Sequence, residues 1–195
     1  MKKPIIFSLV FFILILIKCY SLEDVGCEQK ADKQLQPNTI AIGHDAPDFQ
    51  VELLGSKLLK LSDHVKKCEG PTILLFARAH WWPPCMKQLV QLRDELSETM
   101  KKCKANVMVI FREEEGGQEG LKKVVEKTKV NFLLALDTPV KETSSYSPGE
   151  RIHDSYIIDK NGIIKSILKG TRYERAKALE FKVELEKIAK TNKKL

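Results

Sequence analysis

Five cysteines serve the whole chain of 195 residues, and no two of them stand two residues apart. A complete Cys-x-x-Cys dithiol is therefore excluded. Histidine is as scarce: His44, His64, His80 and His153 show no ligand spacing, so no metal site and no other cofactor is expected. Glycine and proline, at 10 and 8, are too few for a low-complexity or fibrous chain, and no internal repeat is visible. The glycine-rich "GGQEG" (116–120) lacks the lysine and the helix context of a phosphate loop. Basic residues are in excess, with a formal charge of +7, but aromatic and basic residues do not interleave. Nucleic acid is therefore not expected as a partner. The basic end "KIAKTNKKL" reads as a solvated helix terminus, where cations suit the negative end of the dipole.

Long apolar runs are also rare. One opens the chain: Lys2 and Lys3, then Ile5 to Ile17, then Cys19-Tyr20-Ser21. A membrane span usually needs about 20 apolar residues. The run is shorter, and its basic start and small flanking residues fit a secretory signal peptide over 1–21. Membrane contact is then expected only through an uncleaved signal or a lipid on Cys19, and Lys18 argues against the lipid. Removal takes three lysines and no acid, so +7 becomes +4. Export to a periplasmic or extracellular space permits disulfides among Cys27, Cys68, Cys85 and Cys103. Residues 22–38 are polar and aperiodic, a linker, and 39–195 form the expected folded domain.

Within that domain the pattern alternates. Phe49, Val51 and Leu53, then Gly55-Ser56, then Leu58 to Leu61 predict a β-hairpin. "PTILLFA" (71–77) and "NVMVIF" (106–111) are apolar throughout, as in strands buried on both faces. Between them Met86, Leu89, Leu92, Leu96 and Met100 predict a helix opened by Pro83 and Pro84 and ending near Lys102. "REEEGGQEG" reads as a polar loop, with Glu113, Glu114 and Glu115 solvated. A short helix over "LKKVVEKTKV", a strand over 131–137 and a long loop follow. "SYIIDKNGIIKSILKG" predicts a second hairpin turning at Lys160-Asn161-Gly162, and the chain closes on a helix from about Tyr173 to Lys190. Strands joined through helices pair in parallel. The expected architecture is α/β: a mixed central sheet with helices on both faces and an N-terminal β-hairpin.

The bend "AHWWPPC" (79–85) then stands out, because it places one cysteine where strand gives way to helix. The thiolate is the reactive form, and free N–H groups and the dipole at a helix N-terminus favour it. Arg78 and His80 are near enough in sequence to add positive charge. The bland alternative is a buried, inert Cys85, since free cysteine is among the most buried residue types.

Gly43, Ala46-Pro47-Asp48-Phe49, "KLSD" (60–63), the Trp-x-x-x-Cys bend and "SYIIDKNGII" occur in an order that resembles the redoxins of the thioredoxin-like fold. Within them the chain is most similar to the alkyl hydroperoxide reductase and thiol-specific antioxidant, or peroxiredoxin-like, family, over roughly residues 40–190. That resemblance implies a peroxide-attacking thiol at Cys85. Trp82 departs from the pattern, standing where reductases carry their first cysteine and peroxiredoxins a Thr or Ser. Arg78 stands where that family usually has a proline. The loop before "SYIID" faces the active thiol in such proteins, which makes His153, with Arg151 beside it, a candidate base or ion-pair partner. The alternative is an exposed loop histidine. Arg112 is the candidate for the family's peroxide-binding arginine, the alternative being a surface residue.

The helix after Cys85 travels about 28 Å across the sheet. It brings Cys103 to the edge where Cys68 precedes its strand, and the two either bridge or remain free thiols. Cys27 on the linker is left to resolve a sulfenic acid at Cys85 or to pair elsewhere.

The expected function is reduction of peroxides at a single thiol, with electrons from an external thiol. One alternative is thiol–disulfide exchange through mixed disulfides at Cys85, on a disulfide substrate. Another is a redox-inactive binding protein, in which Trp81 and Trp82 form an aromatic patch. In the redox readings Trp81, Trp82, Arg78 and His80 border the substrate.

Overall fold

Residues 40–149 and 151–192 are described by a computed structural model. The signal segment 1–21, the linker 22–38, Cys19 and Cys27 lie outside the described residues. Seven strands form among them: β1 (Gln50–Leu53), β2 (Leu58–Lys60), β3 (Thr72–Ala77), β4 (Asn106–Phe111), β5 (Leu133–Leu136), β6 (Ser155–Ile158) and β7 (Ile164–Leu168). Four helices accompany them: α1 (Leu61–Lys67), α2 (Pro83–Cys103), α3 (Gly117–Thr128) and α4 (Ala178–Asn192). Among the described residues no helix is long and apolar enough to cross a membrane.

All strands join one mixed sheet in the order β2-β1-β5-β4-β3-β6-β7. β3, β4 and β5 are parallel neighbours, and the two hairpins add antiparallel strands at either side. Both hairpins turn where the sequence predicts. Gly55 and Ser56 take left-handed backbone angles between β1 and β2, and Gly162 does so between β6 and β7.

The helices divide unequally between the faces. Two right-handed crossovers that step in one direction, from β3 to β4 to β5, must put their helices on the same face. Accordingly α2 and α3 lie together, joined by α4, over Ile73, Leu75, Val107, Val109 and Phe111. The alternate residues Leu74, Phe76, Met108 and Ile110 face the other way, toward α1 and Tyr146 of the loop before β6. Each wholly buried Leu or Ile contributes about 1.5–3 kcal/mol relative to exposure.

Two helix boundaries differ from the pattern. α3 starts at Gly117, inside the stretch read as a polar loop. α4 starts at Ala178 rather than near Tyr173, because Glu180 reaches back to accept the Lys177 N–H at 2.7 Å, a capping contact. Residues 173–177 are thereby left out of the helix, and they reach the sheet end at which Cys85 sits.

Candidate active site

Cys85 is the third residue of α2, 1 % exposed, and packs against the core under the bend. The expected supply of first-turn amides is absent. Pro83 and Pro84 carry no N–H, and the Cys85 N–H itself donates to Trp82 O at 3.1 Å. The polar contacts of the sulfur come from elsewhere in the chain. The backbone N–H of Arg78 donates to Sγ at 3.3 Å, and Arg175 Nη2 donates to it at 3.1 Å.

Burial pushes the thiol up, while Arg175, the Arg78 N–H and the Arg78 charge draw it down. The net shift is upward, so the resting sulfur holds its proton near neutral pH. This corrects the expectation of a thiolate stabilised by the helix end. Burial is the largest effect, and the guanidinium of Arg175 is the chief force against it.

Arg175 also donates through Nη1 to Phe76 O at 2.7 Å. The same carbonyl accepts from His153 Nδ1 at 3.3 Å. An acceptor there requires the Nδ1–H tautomer, which leaves Nε2 bare, buried and without a partner. His153 is 5 % exposed, not a solvent-facing loop residue. Burial, joined by the nearby positive charge of Arg175, pushes its imidazole down to about 4, so it is neutral at physiological pH. It can accept a proton or a hydrogen bond but cannot supply a cation. Arg151 is exposed, and its carbonyl accepts the Arg172 N–H at 3.0 Å.

A cap of aromatic and charged groups covers the sulfur. The Arg78 guanidinium lies 4.3 Å from the Trp82 ring centroid and 5.0 Å from that of Trp81. Its Nε donates to Glu113 Oε2 at 2.7 Å, and Arg172 Nη2 lies 3.7 Å from the other carboxylate oxygen. Arg78 accordingly holds the Glu113 carboxyl below the usual range. Trp82 is half-buried; its Nε1–H donates to Arg172 O at 3.1 Å and its ring meets Tyr173 at 5.6 Å. Trp81 remains 49 % exposed. A surface groove bordered by Pro84, Gln88, Ile152, Tyr173 and Arg175 adjoins the cap.

His80 takes a different role from the one expected. Its ring and its backbone N–H both engage Glu114, at 2.9 and 2.7 Å. Glu114 is 2 % exposed and also accepts the Gly116 N–H at 3.1 Å, so it is a strut under the bend and not a solvated acid. Gly120 is needed there: a Cβ would meet Glu114 Oε1 at 2.1 Å.

Arg112 is placed away from the sulfur. Strand parity carries it to the Phe76 face, where its guanidinium lies 4.0 Å from that ring. It donates to the carbonyls of Thr143, Tyr146 and Ser147 at 2.5, 2.7 and 3.2 Å. Its contacts anchor the loop before β6. Cys68 and Cys103 are both free. The chain just after Cys68 does come close to Cys103, since a Cβ on Gly70 would lie 2.4 Å from Cys103 O. The thiols turn to opposite faces of the sheet, however: Cys68 toward His64 of α1, Cys103 toward Leu185 O of α4.

Arg175, Arg172, Glu113 and Glu114 were not legible as site residues. Arg175 and Arg172 fall in a stretch that reads as the start of a helix. The one clue for Glu114 is Gly120, since glycine inside a helix often marks a close approach.

The AhpC/TSA family model matches residues 42–167. The chain is 26% identical over 136 residues to the thiol-disulfide oxidoreductase ResA of Geobacillus kaustophilus, covering 70% of this chain and 74% of that protein. Two solved structures share its thioredoxin-like fold at low identity. The mitochondrial 2-Cys peroxiredoxin of Plasmodium falciparum superposes with a TM-score of 0.64 at 16% identity, covering 78% of this chain and 96% of the other. The peroxidoxin BcpB of Mycobacterium tuberculosis does so with 0.61 at 17%, covering 76% and 98%.

Proposed function

The chain belongs to the AhpC/TSA family, and from that premise we propose that it is an exported thiol-dependent peroxide reductase with Cys85 as its redox centre. The supporting observation is the pair of donors on one sulfur: Arg175 Nη2 at 3.1 Å and the Arg78 N–H at 3.3 Å. Both favour the anion that must form when the thiol attacks. Export rests on the sequence of residues 1–21.

The steps balance as follows. The Cys85 thiol loses its proton and attacks one oxygen of ROOH; the O–O bond breaks and ROH leaves with a proton. Cys85 is then a sulfenic acid. One external thiol condenses with it, releasing water and leaving a mixed disulfide. A second thiol attacks that disulfide, returning Cys85 as the thiol and leaving as the oxidised donor. Arg175 stabilises the sulfur anion in the first step, and the bare Nε2 of buried His153 is available to accept a hydrogen bond from the bound oxygen species. Near-complete burial of Sγ suits a small peroxide better than a bulky disulfide, because Trp82 and Arg78 cover the approach.

A second reading is thiol–disulfide exchange at Cys85, favoured by the relationship to thiol-disulfide oxidoreductases. One experiment separates the two. The purified chain is exposed to dilute hydrogen peroxide, sulfenic acid is trapped with dimedone, and the adduct is mapped by mass spectrometry. Rapid labelling at Cys85, absent in Cys85→Ser, supports peroxide reduction. Catalysed reduction of a protein disulfide without such labelling supports exchange. Inactivity in both assays leaves a redox-inactive binding protein and sinks the proposal.

A further inference from the structure

A second thiol, at the opposite end of the sheet from Cys85, has the surroundings of a reactive one. Cys68 follows the last residue of α1 and is half-buried. Its Sγ lies 3.4 Å from His64 Nε2 and 3.8 Å from Nδ1. The four-residue spacing on a helix brings the two side chains together. His64 is 9 % exposed, so its imidazole has little water to compete for the contact.

A third group points to chemistry at this sulfur. Thr72 Oγ1, at the start of β3, is buried at 1 % exposure and has no hydrogen-bond partner among the described residues. Burial lifts the Cys68 thiol, and the Thr72 hydroxyl opposes part of that lift. A buried hydroxyl left unpaired costs about 1–3 kcal/mol. A thiolate accepts a hydrogen bond far better than a thiol does. Ionising Cys68 would therefore satisfy a donor that is unsatisfied at rest.

We propose that Cys68 is a modification site for low-molecular-weight disulfides, with His64 as the general base of the exchange. The Cys68 proton passes to His64 Nε2 as Sγ attacks one sulfur of RS–SR. The new S–S bond joins Cys68 to one half, and the old one breaks. The departing RS⁻ takes the proton from the imidazolium and leaves as RSH. Cys68 is oxidised to a mixed disulfide while half of the reagent is reduced to thiol. Burial lifts the Cys68 thiol and lowers the His64 imidazole, so the resting pair is neutral and the proton moves only as the bond forms.

Cys103 provides an internal control. It too is half-buried at a helix C-terminus, flanked by Lys101, Lys102 and Lys104, and burial lifts its thiol as well. Among the described residues no imidazole meets it: the polar contact of its Sγ is to Leu185 O, at 3.8 Å.

The full-length chain is incubated with oxidised glutathione, and adducts at each cysteine are followed by peptide mass spectrometry. The expected result is an adduct at Cys68 about tenfold or more faster than at Cys103, below the usual span of general-base catalysis. His64→Leu, which keeps apolar bulk, should bring the ratio near one, with folding checked by circular dichroism. Equal rates in the parent chain overturn the proposal. So does an unchanged ratio in a folded His64→Leu. Should that variant not fold, the parent ratio decides alone.

Discussion

The Arg175 guanidinium and the Cys85 sulfur lie 3.1 Å apart, although 90 residues separate them in the chain. The contact exists because α4 begins late, leaving residues 173–177 free to bring an arginine to the sulfur. The remaining polar donor to that atom, the Arg78 N–H, comes from the bend itself. A guanidinium thus takes the place that helix amides were expected to fill.

Arg175→Met should slow sulfenic acid formation at Cys85 by about 100-fold, the scale seen when one preorganised donor to a developing anion is removed. Stopped-flow peroxide consumption under single-turnover conditions measures it. A rate within threefold of the parent removes Arg175 from the chemistry.

Covering of the thiol predicts a pH profile. Burial lifts Cys85 above the ordinary thiol range, so its alkylation by iodoacetamide should still be climbing at pH 9. Trp82→Ala removes a wall of the cap and should speed alkylation at every pH. A plateau near pH 7 in the parent chain contradicts the assignment.

His153 makes the fold sensitive to acid. Its imidazole titrates at about 4 in the folded chain, below the ordinary 6.5. The unfolded chain therefore binds the extra proton first as pH falls. The stabilising effect is full above pH 6.5 and is lost as pH falls toward 4, amounting to about 3 kcal/mol. Buried His64 acts in the same sense. Urea midpoints between pH 7 and pH 4 should fall less in His153→Asn, whose amide can still donate to Phe76 O. An identical decline in both proteins places the acid sensitivity elsewhere.

Glu114→Ala should cost about 3–5 kcal/mol, because three donors, two of them on His80, lose one buried carboxylate. Gly120→Ala should be destabilising for the same reason from the other side, since its methyl would occupy the carboxylate position. Chemical denaturation of both variants measures this; a loss under 1 kcal/mol in each contradicts the strut.

Arg112→Ala distinguishes a loop anchor from a peroxide ligand. Loss of its carbonyl contacts at residues 143–147 should lower stability by about 2–4 kcal/mol. In the folded fraction, peroxide reactivity at Cys85 should be unchanged. A large rate loss with normal stability reverses the assignment.

Much of the fold was legible because each signal was local. The apolar runs at β3 and β4, the alternation in the hairpins and the stripe along α2 each depend on nearby residues alone. The place of Cys85 on the bend was legible too, since strand, Pro-Pro and cysteine fall within a few positions. The cap over it was not. Glu113 belongs to a run of three acids that reads as solvated, and only the arrival of Arg78 and Arg172 beside the end of β4 pairs it. The Cys68–Cys103 bridge failed for a related reason: spacing puts two residues at one edge but does not say to which face each thiol turns.

Periodicity and turn chemistry determined the strands, the helices and the bend that holds a lone cysteine, since these rest on steric and hydrophobic preferences within a few residues. Tertiary structure alone decided the environment of that cysteine. Burial raises its proton affinity, and an arginine from the far end of the chain opposes the rise. Charge and solvation act through space, and no spacing along the chain encodes which distant side chain will arrive.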